Sequence, residues 1–197
     1  MAGNITRMVI DGYGQLELNQ VAFRRDGRIE AQCKLDETDF ASIPCENGMI
    51  LAVDNVNKVV KLPASGTEDY PLALVYTTEH MYDERANALK DFKLTINDGF
   101  YPRLGYLSIG DKFMTNTIAY DDSEFAATQT KTVEEVIAEA YEDIATTPLY
   151  GSVDASGVIA ISATKPQSGV TLLAINGPGV PTMPDGQFGM KFQVIGL

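Results

Sequence analysis

ENGMILAVDNVNKVVKLP, residues 46–63, is the stretch on which the reading of the fold depends. Asn47-Gly48 turns the chain, Met49 to Val53 is apolar, Asp54-Asn55-Val56-Asn57 is polar, and Lys58 to Leu62 runs back to Pro63. Two runs of about five residues joined by a polar turn have the dimensions of a β-hairpin. A protein organised around such a unit is expected to be built mainly of short strands.

The flanking sequence repeats the theme. In VAFRRDGRIEAQCKL (21–35), Val21 and Phe23, then Ile29, Ala31, Cys33 and Leu35, alternate on either side of Asp26-Gly27, a strong hairpin signal. YPLALVYTT (70–78) reads as a more fully buried strand, and FYPRLGYLSIGDKFMTNTIAY (100–120) as strands broken at Pro102, Gly105 and the turn 108–111. Toward the C-terminus, YGSVDASGVIAISAT (150–164) suggests a hairpin about 154–157, followed by GVTLLAI (169–175) and QFGMKFQVI (187–195).

Two segments carry helical spacing. MYDERANALKDF (81–92) offers Met81, Ala88, Leu89 and Phe92 for one face. TVEEVIAEAYEDIATTP (132–148) places Val133, Val136, Ile137, Ala140, Tyr141 and Ile144 together, with a Thr132/Glu135 capping box and Pro148 beyond the end. The expected fold is therefore mainly β, of the α+β class: a small β-barrel or sandwich-like module of short hairpins, one amphipathic helix over 132–145, and an extended N-terminal arm. Three segments are expected: an arm and hairpin (1–40), a central β module (41–130), and a helix with a C-terminal β segment (131–197). No repeat period and no low-complexity tract is read from the sequence.

Composition is that of a folded chain, with 45% hydrophobic and 21% charged residues. The start MAGNITRMVIDGYG lacks a basic, then apolar signal region, so synthesis in the cytosol is expected. A net charge of −12 argues against phosphate backbones and anionic membranes, so neither nucleic acid nor membrane is expected as a partner. Arg24, Arg25 and Arg28 are diluted by Asp26 and Glu30 and read as a solvated or partner-facing strand end. Cys33 and Cys45 fit no zinc spacing and are expected to be buried or idle thiols rather than a disulfide.

Residues for catalysis are sparse. His80 is the sole histidine, so any nucleophile–base arrangement must use it, and it reads as structural; Glu79, Asp83 and Glu84 beside it read as solvated rather than as metal ligands. Asp54 to Asn57 and Asp121-Asp122-Ser123-Glu124 lack the spacing of a calcium loop. Gly12-Tyr13-Gly14 has neither the third glycine nor the strand–helix setting of a dinucleotide site. No enzyme, cofactor or metal site is expected. The aromatics Phe100, Tyr101, Tyr106, Phe113, Tyr120 and Phe125 read as core and subunit contact, with a sugar platform as the alternative.

Two stretches carry a resemblance. IPCENGMILAVDNVNKVVKLP with YPLALVYT, and YPRLGYLSIGDKFMTNTIAYD, resemble the layout of head decoration and related virion proteins of tailed bacteriophages over about residues 43 to 122. The resemblance implies a non-enzymatic capsid component, made in the host cytoplasm, that binds the major capsid protein from outside the assembled head, often as a trimer, and reinforces it. An arm able to add a strand to a neighbouring sheet edge would suit that role. The alternative is a carbohydrate- or host-surface-binding β module displayed on a virion.

Overall fold

The computed structural model describes residues 5–9, 11–17, 21–22, 31–63, 67, 69–77, 92–99, 101–121, 135, 147–176, 183 and 187–197. Its strands, in chain order, are β1 (Ile5–Arg7), β2 (Ala31–Gln32), β3 (Lys34–Leu35), β4 (Ile50–Asp54), β5 (Val59–Lys61), β6 (Leu72–Val75), β7 (Arg103–Tyr106), β8 (Lys112–Thr115), β9 (Ile118–Asp121), β10 (Tyr150–Val153), β11 (Ile159–Ser162), β12 (Thr171–Asn176) and β13 (Met190–Gly196).

They form two sheets. Sheet 1 has the order β2-β7-β6-β4-β5-β3 and sheet 2 the order β1-β9-β11-β10-β12-β13-β8. In sheet 1 the two edge strands, β2 and β3, are successive pieces of residues 31–35; in sheet 2, β8 and β9 stand toward opposite ends although only Asn116 and Thr117 separate them. Each sheet therefore curls until one bent length of chain serves both of its ends, which protects edges that would otherwise pair with another chain. One parallel pair occurs in each, β3 with β5 and β9 with β11.

Burial explains the strand sequences. β13 alternates, with Met190, Phe192 and Val194 buried and Lys191 and Gln193 half-buried, as a strand with one covered face should. β4 is buried at every residue. Its Ile50, with Leu74 of β6, joins the core of sheet 2, whereas Leu51 and Val53, with Ala73 and Val75, face the core of sheet 1. The apolar run Met49 to Val53 is thus a wall between two cores, and a wall has no solvent face to spend on polar residues.

The mainly β expectation holds, as two curled sheets. The amphipathic helix expected over 132–145 is not supported as an element: that stretch lies outside the described residues apart from the exposed Glu135, a single residue in helical conformation. The short helix expected in 81–92 also lies outside them, except for the buried Phe92, as does the Asp26-Gly27 turn. No helix of the described residues is long and apolar enough to cross a membrane. The described part of the N-terminal arm lies on the chain's own sheet 2: β1 pairs with β9, Met8 N–H donates to Ile118, Glu17 N–H to Met114, and Ala22 bridges Lys112.

Candidate functional site

At the β3/β5 side of sheet 1 lies a cleft of about 590 Å³, lined by residues 33–38, by Asn57, Lys58 and Val59, and by Tyr101. The parallel register sets Lys34 opposite Val59, and the Lys34 N–H donates to the Lys58 carbonyl at 3.2 Å. Two exposed ammonium-bearing residues are thereby brought to one rim. Lys58 has φ 56°, the left-handed region that side chains ordinarily avoid. Tyr101 is 42% exposed, offering an aromatic ring beside exposed Glu37, Thr38 and Asn57.

The turns beneath the cleft are held by carboxylates. Asp54 Oδ1 accepts the amides of Val56 and Asn57, and Oδ2 accepts Asn57 Nδ2 at 2.7 Å. The Asn57 hydrogen bonds, backbone first, hold the Asp54 carboxyl below its usual range. Burial opposes ionisation of Asp36, but the Asp39 and Thr38 amides and the Lys61 ammonium, 3.6 Å away, together hold its carboxyl below the usual range. Asp54, Asn55 and Asn57 thus serve turn geometry, with Asn55 Oδ1 also accepting the Tyr106 hydroxyl.

A second polar group is enclosed between the sheets. Glu46, 6% exposed, accepts Arg7 Nη2 at 2.8 Å and the Gly14 amide at 2.5 Å. Asn47 clasps Thr77 through both its amide atoms, Thr117 donates to the Asn47 carbonyl, and Asn116 links the Gln15 amide to Gln187. Buried polar groups satisfied in this way lock one arrangement of the packed elements. The turn glycine of Asn47-Gly48 is needed twice over, for its φ of +86° and because a Cβ there would stand 2.1 Å from Thr115 Oγ1. Gly14 is needed for close approach, since its Cβ would stand equally near Thr117 Oγ1; the Gly12-Tyr13-Gly14 run docks the N-terminal segment.

The sequence-predicted residues are dispersed. Cys33 and Cys45 are both buried and not joined in a disulfide; Cys33 lines the cleft, and burial, with the Glu46 charge, pushes the Cys45 thiol far up. Phe113 packs against Phe192 with ring centroids 6.0 Å apart, and Tyr120 is buried, so these aromatics belong to the core of sheet 2. Tyr13 lies under the Lys93 ammonium at 4.3 Å. Arg24, Arg25, Arg28, Glu79, His80, Asp83, Glu84, Phe100, Asp122, Ser123, Glu124 and Phe125 lie outside the described residues. Among the described residues, no three His, Cys, Asp or Glu side chains gather into a group that could hold a metal.

Lys34, Lys58, Arg7, Glu46, Asn116 and Gln187 were not signalled by any motif. Their meeting depends on pairings between residues far apart in sequence, 101 positions for Gln15 with Asn116 and 176 for Asp11 with Gln187. The chain matches no family model, no curated protein and no solved structure. What the cleft can do chemically is stack and hydrogen-bond: it joins an aromatic face to cationic donors and carboxylate and amide acceptors.

Proposed function

We propose that the protein is a non-enzymatic virion structural protein, a decoration or cement protein that binds the outside of an assembled tailed-phage head through the major capsid protein and stabilises it. The observation that supports this reading is the joining of two curled sheets by a shared apolar wall and an enclosed polar cluster. Such a body resists deformation, because moving one sheet against the other would expose apolar strands and unpair buried groups. A net charge of −12 suits a surface that never meets packaged DNA. The test is addition of purified protein to preformed heads lacking it. Stoichiometric co-sedimentation and greater resistance of the heads to heat are expected; heads that neither recruit the protein nor gain stability would refute the proposal.

One observation favours a second reading, a carbohydrate- or host-surface-binding module on the virion: Tyr101 stands half-exposed in a polar cleft. Sugars bind by stacking on an aromatic face while neighbouring side chains bond their hydroxyls. Glycan-array signal that disappears in Tyr101→Ala, and persists in Tyr13→Ala, is the expected outcome under that reading.

A further inference from the structure

The two sheets are built to one register. The hairpin pair Val53 with Val60 in sheet 1 answers to Val153 with Ile159 in sheet 2. Counting outward from it, Ile50 with Leu74 answers to Tyr150 with Leu173, and Leu74 with Gly105 to Leu173 with Gln193. Next, Ala31 with Leu104 answers to Phe113 with Phe192, and the parallel pair Leu35 with Val60 to Ile118 with Ile159, the second bend being longer by one residue. Facing agrees as well: Ala31, Leu35, Val60 and Leu104 lie in the core of sheet 1, and Phe113, Ile118, Ile159 and Phe192 in that of sheet 2. The chain is therefore a duplicated unit, which corrects the expectation that it holds no repeat. A fixed period is missing because Ile118 lies further from Tyr150 than Leu35 does from Ile50.

The copies differ at one edge. Among the described residues sheet 1 has six strands and ends at β3, whereas sheet 2 has seven, because β1 is added beyond β9, the counterpart of β3. β1 runs antiparallel to β9 with Arg7 opposite Ala119, and the Met8 N–H donates to the Ile118 carbonyl at 2.8 Å. On β3, the N–H groups of Lys34 and Asp36 donate to the carbonyls of Lys58 and Val60. The intervening Leu35, counterpart of Ile118, therefore turns its own N–H and carbonyl to the opposite side. That is the side of β7, where Gln32 pairs with Arg103 and Tyr101 lies two residues further back. Leu35, Lys34 and Tyr101 line the cleft of about 590 Å³. Where sheet 2 carries β1, sheet 1 thus has an open strand edge and a cleft beside it.

We propose that the β3 edge binds an extended segment of another protein, added antiparallel to β3 as β1 is to β9, with an acidic side chain opposite Lys34. Register and charge together select this occupant. Continued from Arg7 opposite Ala119, β1 places Val9 opposite Thr117, and the counterparts of Ala119 and Thr117 in sheet 1 are Asp36 and Lys34. Lys34 and Lys58 are exposed at the rim and make no ion pair with a described residue, whereas Asp36 is already held by Lys61 at 3.6 Å. Glu37 is exposed too, but it lies in the turn beyond β3, toward the N-terminal end of the added segment. A carboxylate opposite Lys34 therefore meets two ammonium groups, while the β1 of a second copy would bring Val9 there and leave both unmatched. The open stretch is short, so main-chain bonds set the direction of the segment and the charge pair chooses among partners. The site stands on its own, whether or not the protein binds heads.

The experiment titrates the full chain with a synthetic peptide, acetylated and amidated, that carries residues 4–9 with Val9→Glu, and follows the amides of the protein by NMR. Binding with a Kd of about 1 mM or tighter is expected, with the shifts centred on Lys34, Leu35 and Tyr101. The same peptide N-methylated at its methionine cannot donate to the Leu35 carbonyl and should bind at least about fivefold more weakly. In the protein, Lys34→Glu changes an exposed side chain and should weaken the acidic peptide about tenfold while leaving the peptide with the native valine no weaker. Absence of binding at about 5 mM peptide, full affinity of the N-methylated peptide, or shifts confined to Ile118 and Ala119, as when β1 is displaced, would overturn the proposal. Equal binding of the peptide with the native valine would give the edge to a second copy's β1 and overturn the acidic partner.

Discussion

Gly157→Ala probes the contact between the sheets with controls that the chain itself supplies. Gly157 has φ +80°, and a Cβ there would stand 2.7 Å from Leu51 Cδ2 and 3.0 Å from the Ile50 carbonyl oxygen. Gly99 and Gly169 have φ +68° and +74°, with nothing within 4 Å of the added carbon. At all three positions the left-handed conformation costs alanine about 1–2 kcal/mol, and restriction of the unfolded chain returns about 0.4–1 kcal/mol. Only Gly157 adds an overpacking cost, of about 1–3 kcal/mol. The expected net losses are about 3 kcal/mol for Gly157→Ala and about 1 kcal/mol or less for either control. For a chain of this size these correspond to falls in Tm of about 6–12 °C against a few degrees. Differential scanning calorimetry reads the difference, and amide hydrogen exchange at Ile50 should accelerate only in Gly157→Ala, because that amide donates to the Gly157 carbonyl. Equal destabilisation by all three, with Ile50 protection unchanged, would refute the claim that the β10–β11 turn is tightly seated.

Three further outcomes are expected. Glu46→Gln replaces charge-assisted hydrogen bonds to Arg7 and Gly14 by weaker neutral ones and should lower stability by about 1–2 kcal/mol in urea unfolding; no loss would show that the enclosed cluster does not join the sheets. Asp54 has its folded-state carboxyl held below the unfolded value of 3.8, so its stabilisation is present above that pH and is lost as pH falls through the lower folded value. The Tm of Asp54→Asn should accordingly lie below wild type at pH 7, with the gap closing in acid; a gap that widens below pH 3.8 would contradict the assigned sign. Cys45, buried and with its thiol pushed far up, should resist a thiol-specific reagent in the native protein and react on unfolding, and prompt native labelling at Cys45 would refute its enclosure.

Local signals were legible where the physics is local. The hairpins around 54–58 and 154–158 and the strand in 70–78 follow from apolar runs interrupted by Asp, Asn and Gly, since the turn chemistry and the strand it ends are neighbours in sequence. The division into two sheets was not legible. It rests on two-residue pairings such as Lys34 with Val59, and on parallel partners such as Ala119 and Ala160, which leave almost no mark on composition. β4 shows the difficulty in one strand: its continuous apolar run reads as burial, but nothing in the run says that Ile50 and Leu51 serve different cores. The cleft was half legible: its polar turn can be named in advance, but Tyr101, read first as core and subunit contact, is 42% exposed, and the backbone bond that brings Lys34 beside Lys58 leaves no mark on the sequence.

The two Val-Asp turns differ in ways that their surroundings explain. In the β10–β11 turn the left-handed residue is Gly157, and its missing side chain lets backbone approach backbone closely enough for the Ile50 hydrogen bond. In the β4–β5 turn the left-handed residue is Lys58, whose carbonyl accepts the Lys34 N–H of the same sheet and whose strained φ is tolerated only because the surrounding turn fixes it. Replacing Lys58 by glycine should relieve the left-handed strain, offset in part by the greater freedom of the unfolded chain, for a net gain between zero and about 1 kcal/mol. Urea unfolding reads the difference, and a Lys58→Gly variant less stable than wild type by about 1 kcal/mol or more would refute the assignment of left-handed strain to Lys58.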